Sequence, residues 1–261
     1  MNAFLEIKQG DSPIVLGFPH TGTQVPDIVK ATLNETGRAL TDTDWNIHNL
    51  YDGLLDGVTS VRTQIHRYVI DCNRDPKGVS LYPGQNTTTL VPITDFDGNK
   101  IYNLEPNEAE IARRRDAYHA PYHAAIKAEL ERVKAIHGFA ILYDCHSIRS
   151  EISFLFEGIL PTFSIGTNSG ESCAAGVEKI TTDICANADG HDHVVNGRFK
   201  GGWTTRHYGK PANNIHAIQM ELTQSSYMNE FAPWDYDKTK ADKLRQHLAN
   251  ILQQLSTWRP K

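Results

Sequence analysis

The chain lacks most of the features that place a sequence quickly. Its four cysteines, Cys72, Cys145, Cys173 and Cys185, form no C-x-x-C pair and no disulfide-like framework. No apolar run nears the roughly 18 residues of a membrane span. The first residues, Met1-Asn2-Ala3-Phe4-Leu5-Glu6, lack the basic stretch and apolar core of a signal peptide. No Lys/Arg stripe stands out. With 31 acidic residues against 26 basic ones the net charge is −5, which repels phosphates and argues against nucleic acid as a partner. Neither G-x-G-x-x-G nor the Walker spacing occurs, so no phosphate loop is expected. Repeats, low-complexity stretches and interdomain linkers are also missing from the 261 residues. These absences leave one large α/β domain over 1–261, cytoplasmic and off the membrane, with its thiols kept reduced.

Patterning supports that class. Pro13 to Phe18 is a short apolar run stopped by Pro19, and Gln64 to Asp71, Phe139 to Tyr143, Ile152 to Phe156, Leu160 to Ile165 and His216 to Leu222 also read as strands. Helices are expected over Asp44 to Leu55, capped by Asp42 or Thr43, over Glu171 to Ala188 and over Asp237 to Thr257. The clearest helix is Pro106 to Ala135. Its Ile111, Tyr118, Tyr122, Ile126, Leu130 and Val133 recur at helical spacing, and Pro121 should kink it. Tyr82 to Asn103 is loop-like, with an Asp97-Gly98 turn that could hide a hairpin. Strands interleaved with long helices predict a sandwich with a parallel or mixed sheet.

What is present is a set of polar clusters at or near the ends of apolar runs. In an open α/β sheet, strand carboxyl ends share one crevice where ligands bind. His20, in Pro-His-Thr-Gly, and His146, in Asp-Cys-His-Ser, are candidate metal ligands, with Asp144 orienting the second ring. A carboxylate would complete a His₂-carboxylate set, and Asp42 and Asp44 both qualify, one as ligand and the other as a helix cap. By strand alternation Ala217, Gln219 and Glu221 face one side. Glu221 is there the candidate general base. Asn73-Arg74 offers a planar fork for a carboxylate, although Arg74 could equally pair with Asp75. The basic, glycine-rich stretch from Arg198 to Gly209 suits a substrate loop, while His191 and His193 read as a solvated loop.

Taken together these motifs closely resemble the N-formylglutamate amidohydrolase family. The resemblance runs from about Ile14 to Met228. It rests on Phe-Pro-His-Thr-Gly-Thr, Thr-Asp-Thr-Asp-Trp, Asp-Cys-Asn-Arg-Asp-Pro, Tyr-Asp-Cys-His-Ser-Ile, Gly-Thr-Asn-Ser-Gly-Glu-Ser-Cys, Lys-Gly-Gly-Trp-Thr-Thr-Arg-His-Tyr-Gly and Gln-Met-Glu-Leu. It implies a three-layer α/β sandwich with a central mixed sheet, like the zinc carboxypeptidases and aspartoacylases. The implied reaction is hydrolysis of N-formyl-L-glutamate to L-glutamate and formate, in histidine degradation, with a divalent metal such as Zn²⁺. The carboxypeptidase H-x-x-E signature is absent, because Thr21, Gly22 and Thr23 follow His20. Asp44 is therefore taken as the third ligand beside His20 and His146. Arg74 with Asn73, and one or more of Arg149, Arg198 and Arg206, should hold the substrate carboxylates, with Gly202 and Thr204 in the substrate loop. Rival readings are a related N-acyl-amino-acid amidohydrolase or carboxypeptidase-like enzyme and, from another class, a non-catalytic binder of acidic amino acids.

Overall fold

A computed structural model of the chain describes residues 3–80 and 84–260. Tyr82 and Pro83, which open the expected long loop, lie outside the described residues. One mixed sheet of seven strands has the order β1-β3-β2-β4-β7-β5-β6. Its strands are β1 Leu5–Lys8, β2 Ile14–Phe18, β3 Thr59–Thr63, β4 Ala140–Ile148, β5 Phe163–Gly166, β6 His193–Val195 and β7 Ile215–Thr223. The central β3, β2, β4 and β7 run parallel, whereas β1 on β3 and β5 on β7 are antiparallel.

Alternation along the strands separates two cores. Ile14, Leu16 and Phe18 of β2, Ile141, Tyr143 and Cys145 of β4, and Ile218, Met220 and Leu222 of β7 share one face. After the one-turn helices α1 Asp27–Lys30 and α2 Glu35–Arg38, that face is covered by α3 Ile47–Tyr51, α6 Ala175–Ala186 and α8 Lys238–Thr257. In α8, Leu244, Leu248, Ile251 and Leu255 repeat every three or four residues and are buried, while Asp237 caps the first turn by accepting from the Lys240 N–H. On the other face Val15, Ala140, Leu142 and Ala217 pack on Tyr122, Ile126, Leu130 and Val133. These four belong to α5 Ala120–His137. The arrangement is the expected α/β sandwich, with helices on both sides of a mixed sheet.

Local departures from the expected pattern have physical causes. The Pro106 to Ala135 helix is divided into α4 Glu108–Arg114, a π-helical turn Arg115–His119, and α5. Pro121 cannot donate a helix bond and its ring crowds the preceding turn, and the wider π turn accommodates both. It also shifts the buried stripe: Ile111 and Tyr118 pack on a separate core around Val29, Leu33 and Val69, while Tyr122 and Ile126 face the sheet. Gln64 to Asp71 is not a strand. The ladder ends at Thr63, and Ile65, Tyr68, Val69 and Ile70 are buried beneath the loop carrying Leu90 and Val91. The segment is apolar because it is covered; its pairing is limited to a single parallel bridge from Ile65 to Gln24.

Ile152 to Phe156 is likewise a turn whose Ile152, with Leu160, joins a small core with Phe96 and Ile148. The next strand begins only at Phe163. The expected Asp44 to Leu55 helix shrinks to Ile47–Tyr51 and has no Asp42 or Thr43 cap, because Asn46 before it is left-handed at φ 59°. The helix expected from Glu171 starts at Ala175, after Asn168 and Ser169 take positive φ. His193 opens edge strand β6, which corrects the loop reading there. The hairpin at Asp97-Gly98 is present in miniature, as a bridge between Thr94 and Lys100.

Candidate active site at the carboxyl edge of the sheet

His20 lies two residues beyond β2, where the chain leaves the sheet. A Cβ on Gly22 would stand 2.2 Å from the Gln64 carbonyl carbon, so glycine is needed for close approach of the two backbones. Asp44 is tied to His20 by its own N–H, which donates to the His20 carbonyl at 3.1 Å. β4 and β7 supply the rest. Their parallel register sets His146 beside Glu221, and alternation turns Asp144, His146, Gln219 and Glu221 toward the α5 side of the sheet.

These elements gather His20, Asp44 and His146 into one buried group, with one ligand atom from each within 4.8 Å of the others. Asp44 Oδ2 stands 3.7 Å from His20 Nδ1 and 3.2 Å from His146 Nδ1. The far side of each ring is occupied. His20 Nε2 donates to Asp71 Oδ1 at 2.7 Å. His146 Nε2 lies 3.2 Å from Asp144 Oδ2 and 3.1 Å from Asn73 Nδ2. With a proton it donates to Asp144; without one it accepts from Asn73. A carboxylate behind a histidine fixes its tautomer and leaves the other nitrogen to a cation.

The donor set suits a divalent ion. Two imidazole nitrogens and a carboxylate oxygen are the ligands of known catalytic zinc sites. The surrounding charge points the same way, since Asp44, Asp71, Asp144 and Glu221 are all buried together. Burial would raise Asp44, but His20 and His146 outweigh it and hold its carboxyl well below the usual range. Burial likewise opposes ionisation of Asp71, yet Arg74, His20 and Arg67 keep it well below that range. For His146 burial disfavours the charge, while Asp144 and Asp44 lift it well above an ordinary histidine. Burial pushes Glu221 up to about 8, against the pull of His146 and with Asp44 adding to the rise. Such a glutamate is matched to proton transfer near neutrality. Asp42 points elsewhere. Its Oδ2 accepts from the Phe96 N–H at 2.8 Å, which ties down a wall of the cavity.

The cavity over this group is lined by His20, His146, Glu221, Asn73, Arg74, Arg198 and Gly202, with Leu90, Phe96, Ile148, Leu155 and Phe199 supplying apolar wall. Arg74 donates through Nε and Nη2 to the carbonyl and hydroxyl of Thr88, and Arg198 donates to the carbonyls of Leu155 and Asn86. Thr204 is buried behind the wall, where its N–H donates to Asn73 Oδ1 at 3.0 Å. Arg149 and Arg206 are not among the lining residues. Arg149 pairs with Asp97 at 2.7 Å, and Arg206 Nε donates to the Gly201 carbonyl. His191 packs on Phe163 and His247, away from the group.

Sequence reasoning missed three side chains, one of them Asp71 behind His20. Arg67 is buried, lines the cavity, and bridges Asp71 at 2.9 Å and Asp44 at 3.4 Å, leaving its Nε without a partner. Its i,i+4 relation to Asp71 was hidden by the strand reading of that segment. Gln219 accepts the Gly202 N–H at 2.7 Å and donates to Glu221 Oε2 at 3.2 Å. Its place on the Glu221 side of the strand was the available signal. Gly202 itself is sterically required, because an added Cβ would stand 2.2 Å from Asn73 Nδ2. Gly202→Ala should therefore displace Asn73 from His146. We expect a stability loss of roughly 1–3 kcal/mol together with reduced turnover in the folded fraction, checked by thermal unfolding and kinetics on one preparation.

The mixed sheet, with a buried histidine–carboxylate group and a protonatable glutamate at its carboxyl edge, has the architecture of a hydrolase of the α/β class. The sequence profile described as N-formylglutamate amidohydrolase matches residues 12–228. The chain is 43% identical to the N-formylglutamate deformylase of Pseudomonas aeruginosa, covering 99% of this chain and 98% of that one. Identity to the enzyme of the same name from Pseudomonas putida is 42%, with 99% and 97% covered. The chain belongs to the N-formylglutamate amidohydrolase family and is an amidohydrolase. Among solved structures, the N-formylglutamate amidohydrolase of Ralstonia eutropha superposes with a TM-score of 0.80 at 22% identity over 97% of both chains. A gene product of Agrobacterium tumefaciens gives 0.73 at 15% identity, covering 96% of this chain and 94% of that one. At those identities the two structures speak to the fold. No helix among the described residues is long and apolar enough to cross a membrane.

Proposed function

We propose that this protein hydrolyses N-formyl-L-glutamate to L-glutamate and formate, with one divalent ion, zinc, held by His20, Asp44 and His146. The reaction would close a route of histidine degradation, and four buried free thiols support a reducing, cytoplasmic setting. The observation that carries the reading is Glu221, whose carboxyl is raised to about 8 in a cavity lined also by His20, His146 and three arginines, over the three-residue group. An ion held by His20, Asp44 and His146 would supply Lewis acidity toward the formyl oxygen and the attacking water.

The remaining work falls to the chain. Glu221 accepts a proton from the attacking water as its oxygen bonds to the formyl carbon. It then delivers that proton to the amine nitrogen as the C–N bond breaks. Gln219, donating to Glu221 Oε2, holds the carboxyl in place between the two transfers. Arg67 presents an unpartnered Nε in a buried wall, suited to the negative charge that develops on the formyl oxygen. Asn73 and Arg74 hold the α-carboxylate, and Arg198 across the cavity reads the side-chain carboxylate. The alternative, binding without turnover, gains nothing from a glutamate placed against an anionic ligand.

Formate release from N-formyl-L-glutamate, set against N-acetyl-glutamate, N-formyl-aspartate and N-formyl-glutamine, tests this reading. N-formyl-glutamate should be strongly preferred and N-formyl-glutamine poor. Equal hydrolysis of N-acetyl-glutamate would replace the deformylase with a broader acylase. Arg74→Lys keeps the charge and loses the planar guanidinium together with the Thr88 bonds that orient it, so kcat/KM should fall about ten- to a hundred-fold. An unchanged kcat/KM in that variant would remove Arg74 from the substrate site.

A further inference from the structure

Outside the residues just described, a group of rings is buried behind the cavity wall, and nothing in the mechanism so far uses it. His119 ends the π turn and His123 lies one helical turn later, so both point from the same face of the helix. Their rings are 4.3 Å apart, and Trp203 of α7 Trp203–Tyr208 packs against both. Each histidine reaches a backbone carbonyl. His119 Nε2 donates to the Arg74 carbonyl at 3.0 Å, and His123 Nε2 donates to the Cys72 carbonyl at 2.8 Å. A carbonyl only accepts, so both rings carry their proton on Nε2. The single Tyr208 hydroxyl proton lies within reach of both unprotonated His123 Nδ1, at 3.1 Å, and the His123 carbonyl, at 3.0 Å, so Tyr208 holds this turn of the helix from the α7 side.

The residue between those two carbonyls is Asn73. Its side chain spans His146 Nε2 at 3.1 Å and the Thr204 N–H at 3.0 Å, and its neighbour Arg74 lines the cavity. The segment around Asn73 is irregular backbone with no ladder to hold it. Something other than the sheet must therefore set its place. The Asn73 and Arg74 N–H groups bond back to Asp71, and the two histidines add donors from a helix to the carbonyls of Cys72 and Arg74.

From this geometry we propose that His119 and His123 are positioning residues, a clamp on the carbonyls either side of Asn73. His119 sets the placement of Arg74 toward substrate, and His123 sets Asn73 against His146. The proposal rests on the site reading given above. The two arms have different consequences. Loosening the Arg74 side should weaken substrate binding, whereas loosening the Cys72 side should disturb the His146 environment and slow the chemical step.

The test is steady-state formate release by the metal-loaded full chain, with a zinc titration of the same proteins. His119→Phe should raise KM roughly ten-fold and leave kcat within about two-fold. His123→Phe should lower kcat roughly ten-fold with a smaller change in KM, and weaken zinc several-fold, in the way loss of a ligand's outer support does. His119→Gln and His123→Gln keep an N–H at similar reach and should recover most of each loss. Folded Phe variants with unchanged constants, Gln variants no better than Phe, or KM and kcat moving together in both arms would each overturn the clamp. Should a Phe variant fail to fold, Tyr208→Phe takes its place: a few-fold fall in kcat supports the proposal and an unchanged kcat overturns it. A wild-type protein that released no formate would sink the activity reading alone, because the zinc difference between the two arms would still decide the clamp.

Discussion

Glu221→Gln should abolish turnover in a site that is otherwise intact, with kcat falling by roughly 10²–10⁴-fold. The side chain keeps its size and remains able to bond Gln219, so the buried strand face around it is undisturbed. Only the capacity to take and return a proton is lost. Zinc stoichiometry and binding of the product L-glutamate should match the wild type, measured on the same protein whose formate release is followed. Turnover near normal at any pH would show that another group moves the proton. The substitution also removes a carboxyl that burial has pushed up to about 8, so the folded protein should not be less stable for the change.

Asp44→Asn should empty the site of its ion. Asp44 is the one member of the group that carries negative charge between two imidazoles, and it also accepts the Ser147 N–H at 3.1 Å. Without that charge, Arg67 and the two histidines face each other across a buried space. Loss of an outer partner costs about 10–100-fold in metal affinity, and loss of a direct ligand should cost more, with activity following the metal. The neighbouring Asp42→Asn is the informative contrast. Asp42 turns away to bond the Phe96 N–H, so that variant should retain its metal. A full complement of zinc in Asp44→Asn, or its loss in Asp42→Asn alone, would exchange the two aspartates.

How much was readable before folding depended on the kind of residue. Glu221 stood out because a carboxylate within His216-Ala217-Ile218-Gln219-Met220-Glu221-Leu222 needs a reason, and period-two alternation sets its face without knowledge of any neighbour. His20 and His146 stood out by lying at the ends of apolar runs. Arg149 and Arg206 were named because an anionic substrate needs cations, yet composition cannot tell a surface pair from a cavity wall. Arg149 meets Asp97, and Arg206 bonds the Gly201 carbonyl.

Sequence by itself determined the α/β class, the central strands β2, β4 and β7, the long closing helix and the family, because period, caps and contiguous motifs are local properties. Tertiary structure alone decided that Asp44 rather than Asp42 meets the histidines, since two aspartates separated by a single residue are equivalent until a turn orients them. It alone showed that Gln64 to Asp71 is a covered turn, where Arg67 and Asp71 support the site. Burial beneath a loop and burial in a ladder demand the same apolar residues. The clamp from His119 and His123 was likewise invisible, because it joins a π turn to a carbonyl 45 residues earlier in the chain. Contacts of that kind are set by how elements pack, and the pattern of side chains along one segment does not encode its distant partner.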